Sequence, residues 1–158
     1  MYLSCVKYSC EPGDALMFEP GKRFLTLHVV NNAGGWGAGF VLAISRLSPV
    51  PEAKYRAWSK MPGFGLGFVQ PVTVSPEWCV LNMCAQNNYR TAKNPVPLDY
   101  AALQTCLVKA AHVACRFDIV QLPKIGCGLA GGDWEEVEPL IISAFLRFPG
   151  EVRVRYQD

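Results

Sequence analysis

Ile119-Val120-Gln121-Leu122-Pro123, then Lys124-Ile125-Gly126-Cys127-Gly128-Leu129-Ala130-Gly131-Gly132, then Asp133-Trp134-Glu135-Glu136: the chain reads here as strand, loop and helix in immediate succession. The first block is an apolar run of strand length. The second is rich in glycine. The third opens a helix, with Asp133 as N-cap and Glu136 three residues on, in capping-box spacing. A buried strand feeding such a loop turns several backbone N–H groups toward one point at a helix N-terminus. The macrodipole is positive there, and the point favours phosphate.

A second stretch repeats the arrangement. Phe24 to Val30 is almost entirely apolar, as expected of a strand covered on both faces. Gly34-Gly35-Trp36-Gly37-Ala38-Gly39 follows it, and Phe40 to Ile44 with Leu47 then form a helical patch. Two phosphate-cradling loops in one chain point to a ligand with two phosphates, or with a phosphate and a sugar. Around them the pattern predicts a first strand over Leu3 to Lys7 and a turn at Glu11-Pro12-Gly13-Asp14. A short helix begins at Pro51 and runs through Tyr55 and Trp58. Leu66 to Val74 and Trp78 to Met83 are strands joined by Ser75-Pro76-Glu77, hence antiparallel. Leu98 to Phe117 is the clearest helix, with Leu103, Cys106, Leu107, Ala110, Val113 and Ala114 on one face. Asp118 to Leu122 is a strand. The helix begun at Asp133 turns Val137, Leu140, Ile141, Ala144 and Phe145 inward and stops near Pro149-Gly150. Val152, Val154 and Tyr156 alternate as a closing strand. The expected fold is α/β: a three-layer α/β/α sandwich on a mixed, about six-stranded sheet, one domain over 1–158. Ligands of such sheets sit beyond the carboxyl ends of the strands, where both glycine loops emerge.

The 158 residues carry a formal charge of +2, too little to argue for nucleic acid or an anionic membrane. No apolar run reaches the roughly 18 residues of a membrane span, and Met1-Tyr2-Leu3-Ser4 lacks the features of a signal peptide. Seven cysteines, an odd number without a Cys-x-x-Cys pair, read as reduced core thiols. That implies a cytoplasmic or similarly reducing compartment. The two histidines have no zinc-ligand spacing to a cysteine. Gly126 to Gly131 matches G-x-G-x-x-G, but a dinucleotide-binding unit needs further βα units after it, and only 27 residues follow Gly131. No Walker A lysine follows either loop. A cysteine-phosphatase loop would need arginine at position 132, where Gly132 stands.

The blocks Pro123 to Val137, His28 to Phe40 and Gly13-Asp14-Ala15 together resemble the macro domains. The likeness is to the branch of the yeast-type ADP-ribose-1''-phosphate phosphatase, the human terminal ADP-ribose glycohydrolase and the DNA-ADP-ribose hydrolase antitoxins. The resemblance implies ADP-ribose in a cleft across the sheet top, with no cofactor and no metal. Asp14, beside Ala15, would accept from the adenine amino group. The backbone of Ile125, Gly126, Cys127, Gly128, Leu129, Ala130 and Gly131 would hold one phosphate. Gly35, Trp36, Gly37, Ala38 and Gly39 would hold the other phosphate and the distal ribose. Small residues let the backbone approach there. Asn31 and Asn32 can hold a sugar hydroxyl or position a water, and His28, with an ordinary pKa near 6.5, can carry a proton near neutrality.

There are departures from the pattern. Gln86 stands where some relatives place a lysine that attacks the sugar, and an amide cannot form a Schiff base. Ala130 stands where the terminal glycohydrolase has an aspartate. Arg90 and Lys93 read either as solvated loop charges or as phosphate contacts. The expected function is therefore binding of ADP-ribose and hydrolysis of ADP-ribose-1''-phosphate by water, with Asn31 positioning and His28 handling a proton as general base or acid. The alternatives are a non-catalytic ADP-ribose-binding module and a hydrolase that removes ADP-ribose from protein or nucleic acid. The expected partners are those ligands alone, without a membrane, for a monomeric chain.

Overall fold

The computed structural model describes residues 7–157 and is built on one six-stranded sheet. Its strands are β1 (Lys7–Pro12), β2 (Phe24–Asn31), β3 (Val69–Ser75), β4 (Trp78–Gln86), β5 (Ile119–Leu122) and β6 (Glu151–Tyr156). They lie in the order β1-β6-β5-β2-β4-β3. All neighbours are parallel except β3 and β4, which form the expected antiparallel hairpin. Pro71 is tolerated because β3 is an edge strand, where a missing N–H costs no ladder bond. The first strand differs from expectation. It runs through Glu11 and Pro12, so the turn begins only at Gly13, and residues 3–6 lie outside the described chain.

Strand alternation divides the core into two layers. Leu25 and Leu27 of β2, with Cys79, Leu81, Met83 and Ala85 of β4, face α3 (Tyr100–Val113) and α4 (Trp134–Ala144). Phe24 and Val30, with Trp78, Val80 and Cys84, face α1 (Phe40–Leu47) and α2 (Val50–Trp58). This is the three-layer sandwich. β4 is buried over eight of its nine residues, so both of its faces are covered, and Asn82 is the polar residue within that buried run.

The helix expected over Leu98 to Phe117 is shorter than its pattern. Asp99 caps it through the Ala102 N–H, Leu98 bridges to Gln86 instead, and one 3-10 turn (Ala114–Arg116) ends it. Asp133 caps α4 as expected, accepting from the Glu135 N–H. The capping box, however, is half built. The Asp133 N–H donates to the hydroxyl of Tyr100 rather than to Glu136. No helix among the described residues is long and apolar enough to cross a membrane. Six described cysteines are free thiols, and those of Cys79, Cys84 and Cys106 are buried.

Candidate functional site

Three connected cavities run along the carboxyl ends of β5, β2 and β4. The outer one, about 730 Å³, is lined by Asp14, Ala15, Arg46, Lys124, Cys127 and Arg155 among others. The central one, about 410 Å³, has His28, Ala38, Gly39, Ile125, Gly126, Gly128, Leu129 and Ala130 in its walls. The distal one, about 290 Å³, is lined by Asn31, Gly35, Trp36, Gly37, Ala38, Gln86, Tyr89, Arg90 and Leu129. Gly39, Lys124 and Gly128 belong to the first two, and Ala38, Gln86 and Leu129 to the last two, so the three form one groove. Leu129 spans it: a Cβ placed on Gly39 would stand 3.3 Å from the Leu129 Cδ1.

The groove's walls are built from amides with nothing to bond. In the second loop the N–H groups of Gly126, Gly128, Leu129 and Ala130 have no acceptor among the described residues. Those of Cys127, Gly131 and Gly132 close internal turns onto Lys124, Gly128 and Gly126. Gly131 thus stands outside the groove, and its conformation is forced. Its φ is +71°, and a Cβ there would lie 2.6 Å from the Pro95 carbonyl oxygen.

In the first loop the Asn31 side chain is the organiser. Its Oδ1 accepts from the Ala33 and Gly35 N–H groups and the Tyr55 hydroxyl, and its Nδ2 donates to the Gly35 carbonyl. The buried Tyr55 hydroxyl also donates to the Asn31 carbonyl and accepts from Gly34 N–H. The amides of Trp36, Gly37, Ala38 and Gly39 are left unpaired among the described residues.

One correction concerns which helix end faces the groove. The sequence places phosphate at the start of α4, but that end is closed by the Asp133 carboxylate and carries Glu135 and Glu136 in its first turn. α1, in contrast, begins at Gly39 with no side-chain cap and no acid in its first turn. The open positive end is that of α1.

The other expected residues divide. Asp14 uses Oδ1 on the Leu16 N–H while lining the outer cavity. Trp36 is buried, with its indole N–H on Ser45, so it supports the distal wall from within the core. Asn32 lines none of the three cavities. It ties the loop to the next strand end, donating to Asn87 and accepting from the Asn88 N–H. Gln86 lines the groove and donates to the Asn88 carbonyl. Burial pushes the Cys127 thiol up to about 11, so it stays protonated. His28 is only 2% exposed, and desolvation lowers its pKa to about 4, partly offset by the bond to Asn82. It is a neutral imidazole edge-on to Trp36, with ring centroids 5.3 Å apart.

Tyr55, Tyr89 and Asn82 arrive from other elements, and no local motif assigns them to the site. Tyr89 covers Gly35 so closely that a Cβ there would collide with its hydroxyl. β4 carries one extra residue opposite Val30 and Asn31, a bulge that re-aims its end toward this contact.

No family model matches the sequence, and no curated protein does. Solved structures do. A Bacteroides thetaiotaomicron protein of unknown function is 37% identical over 96% of this chain and 97% of its own, with a TM-score of 0.85. A macrodomain protein from Streptomyces coelicolor is 41% identical over 97% of this chain and 99% of its own, with a TM-score of 0.80. A Thermosipho africanus DarTG in complex with ADP-ribose matches 85% of this chain and 38% of its own at 16% identity and TM-score 0.70, a likeness of fold.

Proposed function

The chain belongs to the macrodomain family, and from that premise we propose that its groove binds ADP-ribose. Adenine occupies the outer cavity, with its amino group on the free oxygen of Asp14. The diphosphate lies in the central cavity between the Gly126–Ala130 amides and the uncapped start of α1. The distal ribose sits among Gly35, Ala38, Gln86 and Tyr89. The observation that carries this is the pair of unbonded amide sets facing one continuous groove. Five of these eight amides belong to exposed residues, Gly37, Ala38, Gly39, Gly128 and Leu129, where water can solvate them, so what supports the reading is their convergence on one groove, which an anion satisfies many at a time.

Turnover is the second reading, and Arg90 favours it. Among the described residues it is the one cationic side chain lining the distal cavity, which suits a 1''-phosphate on the ribose. In that reading the chain hydrolyses ADP-ribose-1''-phosphate and the loop amides stabilise developing phosphate charge, while His28, buried and held neutral, packs beneath the groove rather than taking the water's proton. Asn31 is occupied in shaping the loop, so it serves the reaction by holding the cradle. Release of ADP-ribose from protein or nucleic acid would use the same distal cavity. Binding stands nearer to the geometry than turnover, because both carboxamides expected to do chemistry are bonded within the fold.

The test is calorimetric titration of the chain and of Gly128→Val with ADP-ribose, AMP and inorganic phosphate. A Cβ on Gly128 meets nothing within 4 Å, so the variant keeps its fold while filling the groove. ADP-ribose should bind the unmodified chain more tightly than AMP and should fail to bind the variant. Equal affinity for both proteins overturns the reading.

A further inference from the structure

The adenine end of the groove carries charge that an adenine does not need. Arg46, Lys124 and Arg155 line the outer cavity against a single carboxylate, Asp14. Arg155 is spent within the fold: it bonds Ser9 and the Val154 carbonyl and pairs with Glu11 at 3.1 Å. Lys124 is held in place over the Tyr156 ring, 3.8 Å from its centroid, with no carboxylate partner among the described residues. Arg46 extends from the last turn of α1, exposed, and likewise has no carboxylate partner among the described residues. The diphosphate of ADP-ribose is already served by the central cavity, which Arg46 does not line. Lys124 also lines the central cavity and is within reach of the diphosphate, so among the described residues Arg46 is the cation left to the outer cavity alone, where bare ADP-ribose presents a neutral nucleoside.

Resting on the ADP-ribose reading, we infer that the outer cavity accepts an ADP-ribose bearing a further phosphate on its adenosine ribose, with Arg46 as the residue that selects it and Lys124 as the second cation beside it. An arginine is suited to this task because its planar fork grips phosphate through two N–H groups. A solvent-open position keeps the gain modest and salt-dependent.

Titration of the full chain with ADP-ribose and with ADP-ribose-2'-phosphate tests this, and adenosine 3',5'-bisphosphate against adenosine 2',5'-bisphosphate locates the extra group on the ribose. The 2'-phosphorylated ligand should bind about tenfold more tightly, roughly one charge-assisted contact. Arg46→Gln should erase that preference while ADP-ribose still binds, and Arg46→Glu should invert it. Preference for the 3',5'-bisphosphate, with the same response to the two variants, supports the site with the phosphate moved to the neighbouring hydroxyl. If ADP-ribose binds and no phosphorylated form gains, this inference fails while the ADP-ribose reading survives. If neither ligand binds, both fail. A preference that persists in Arg46→Glu also overturns it.

Discussion

His28 has two ring nitrogens, and only one is engaged. Its Nε2 lies 2.5 Å from the Asn82 Oδ1, while its Nδ1 is buried with no partner among the described residues. The tautomer follows from carbonyls two side chains away. Gln70 donates to the Lys54 carbonyl, which turns its oxygen to Asn82. Asn82 donates to that oxygen and to the Pro51 carbonyl, which turns its own oxygen to His28. Carbonyls only accept, so the imidazole must donate from Nε2 and hold a lone pair at Nδ1. Protonation would put an unpaired charge in the core, which is why the folded pKa falls to about 4 from 6.5. The unfolded chain binds this proton first as pH drops, so stability is full above about 6.5 and is lost as pH falls toward 4. The loss should reach roughly 3 kcal/mol, at 1.36 kcal/mol per pKa unit. Urea unfolding at a series of pH values measures it. His28→Gln, which can still donate to Asn82, should flatten the profile in that window; an equally steep profile in the variant refutes the assignment.

At the level of elements, two helices begin beside glycine loops and differ in what occupies their first turn. α4 closes its own N-terminus with Asp133. α1 leaves its start bare behind Gly39, whose φ of +84° suits glycine. A carboxylate introduced beside the bare end should act as a tethered competitor. Ala38→Asp is expected to keep or raise the melting temperature, since an acid near a helix start is worth about 0.3–1 kcal/mol, and to weaken ADP-ribose by tenfold or more. Unchanged affinity in this variant would mean that the anion sits elsewhere. The contrast also explains what could be read in advance. Strand alternation, the helical faces and both glycine loops are local patterns, and they placed the sheet, its two coverings and the groove. Which helix end stays open is not local: the α4 cap is completed by Tyr100, 33 residues away. The same holds for Asn31. Its sequence position announced a loop asparagine at a strand end, but its engagement depends on Tyr55, 24 residues on. Spacing along the chain could nominate such residues without revealing what they already hold.

Across the whole molecule, the second loop rests on the segment leading into α3. Gly126, Gly131 and Gly132 press on Leu98 and Pro95 so closely that added methyls would meet heavy atoms at 2.5 to 2.9 Å. Gly131→Ala combines a positive φ with a collision against backbone that cannot yield, and should cost at least about 2 kcal/mol. A melting temperature several degrees lower, with weakened ligand binding, is the expected result, and a neutral variant would show that this seat is soft. The two halves of the groove are joined as tightly by one leucine. Leu129 lies against Gly39 and lines both the central and the distal compartments, so a guest that displaces its half-exposed isobutyl group in one reshapes the wall of the other. A nucleotide fragment and a sugar-phosphate fragment are then not independent lodgers: whichever arrives first bears the cost of moving that side chain, and the second enters a doorway already ajar.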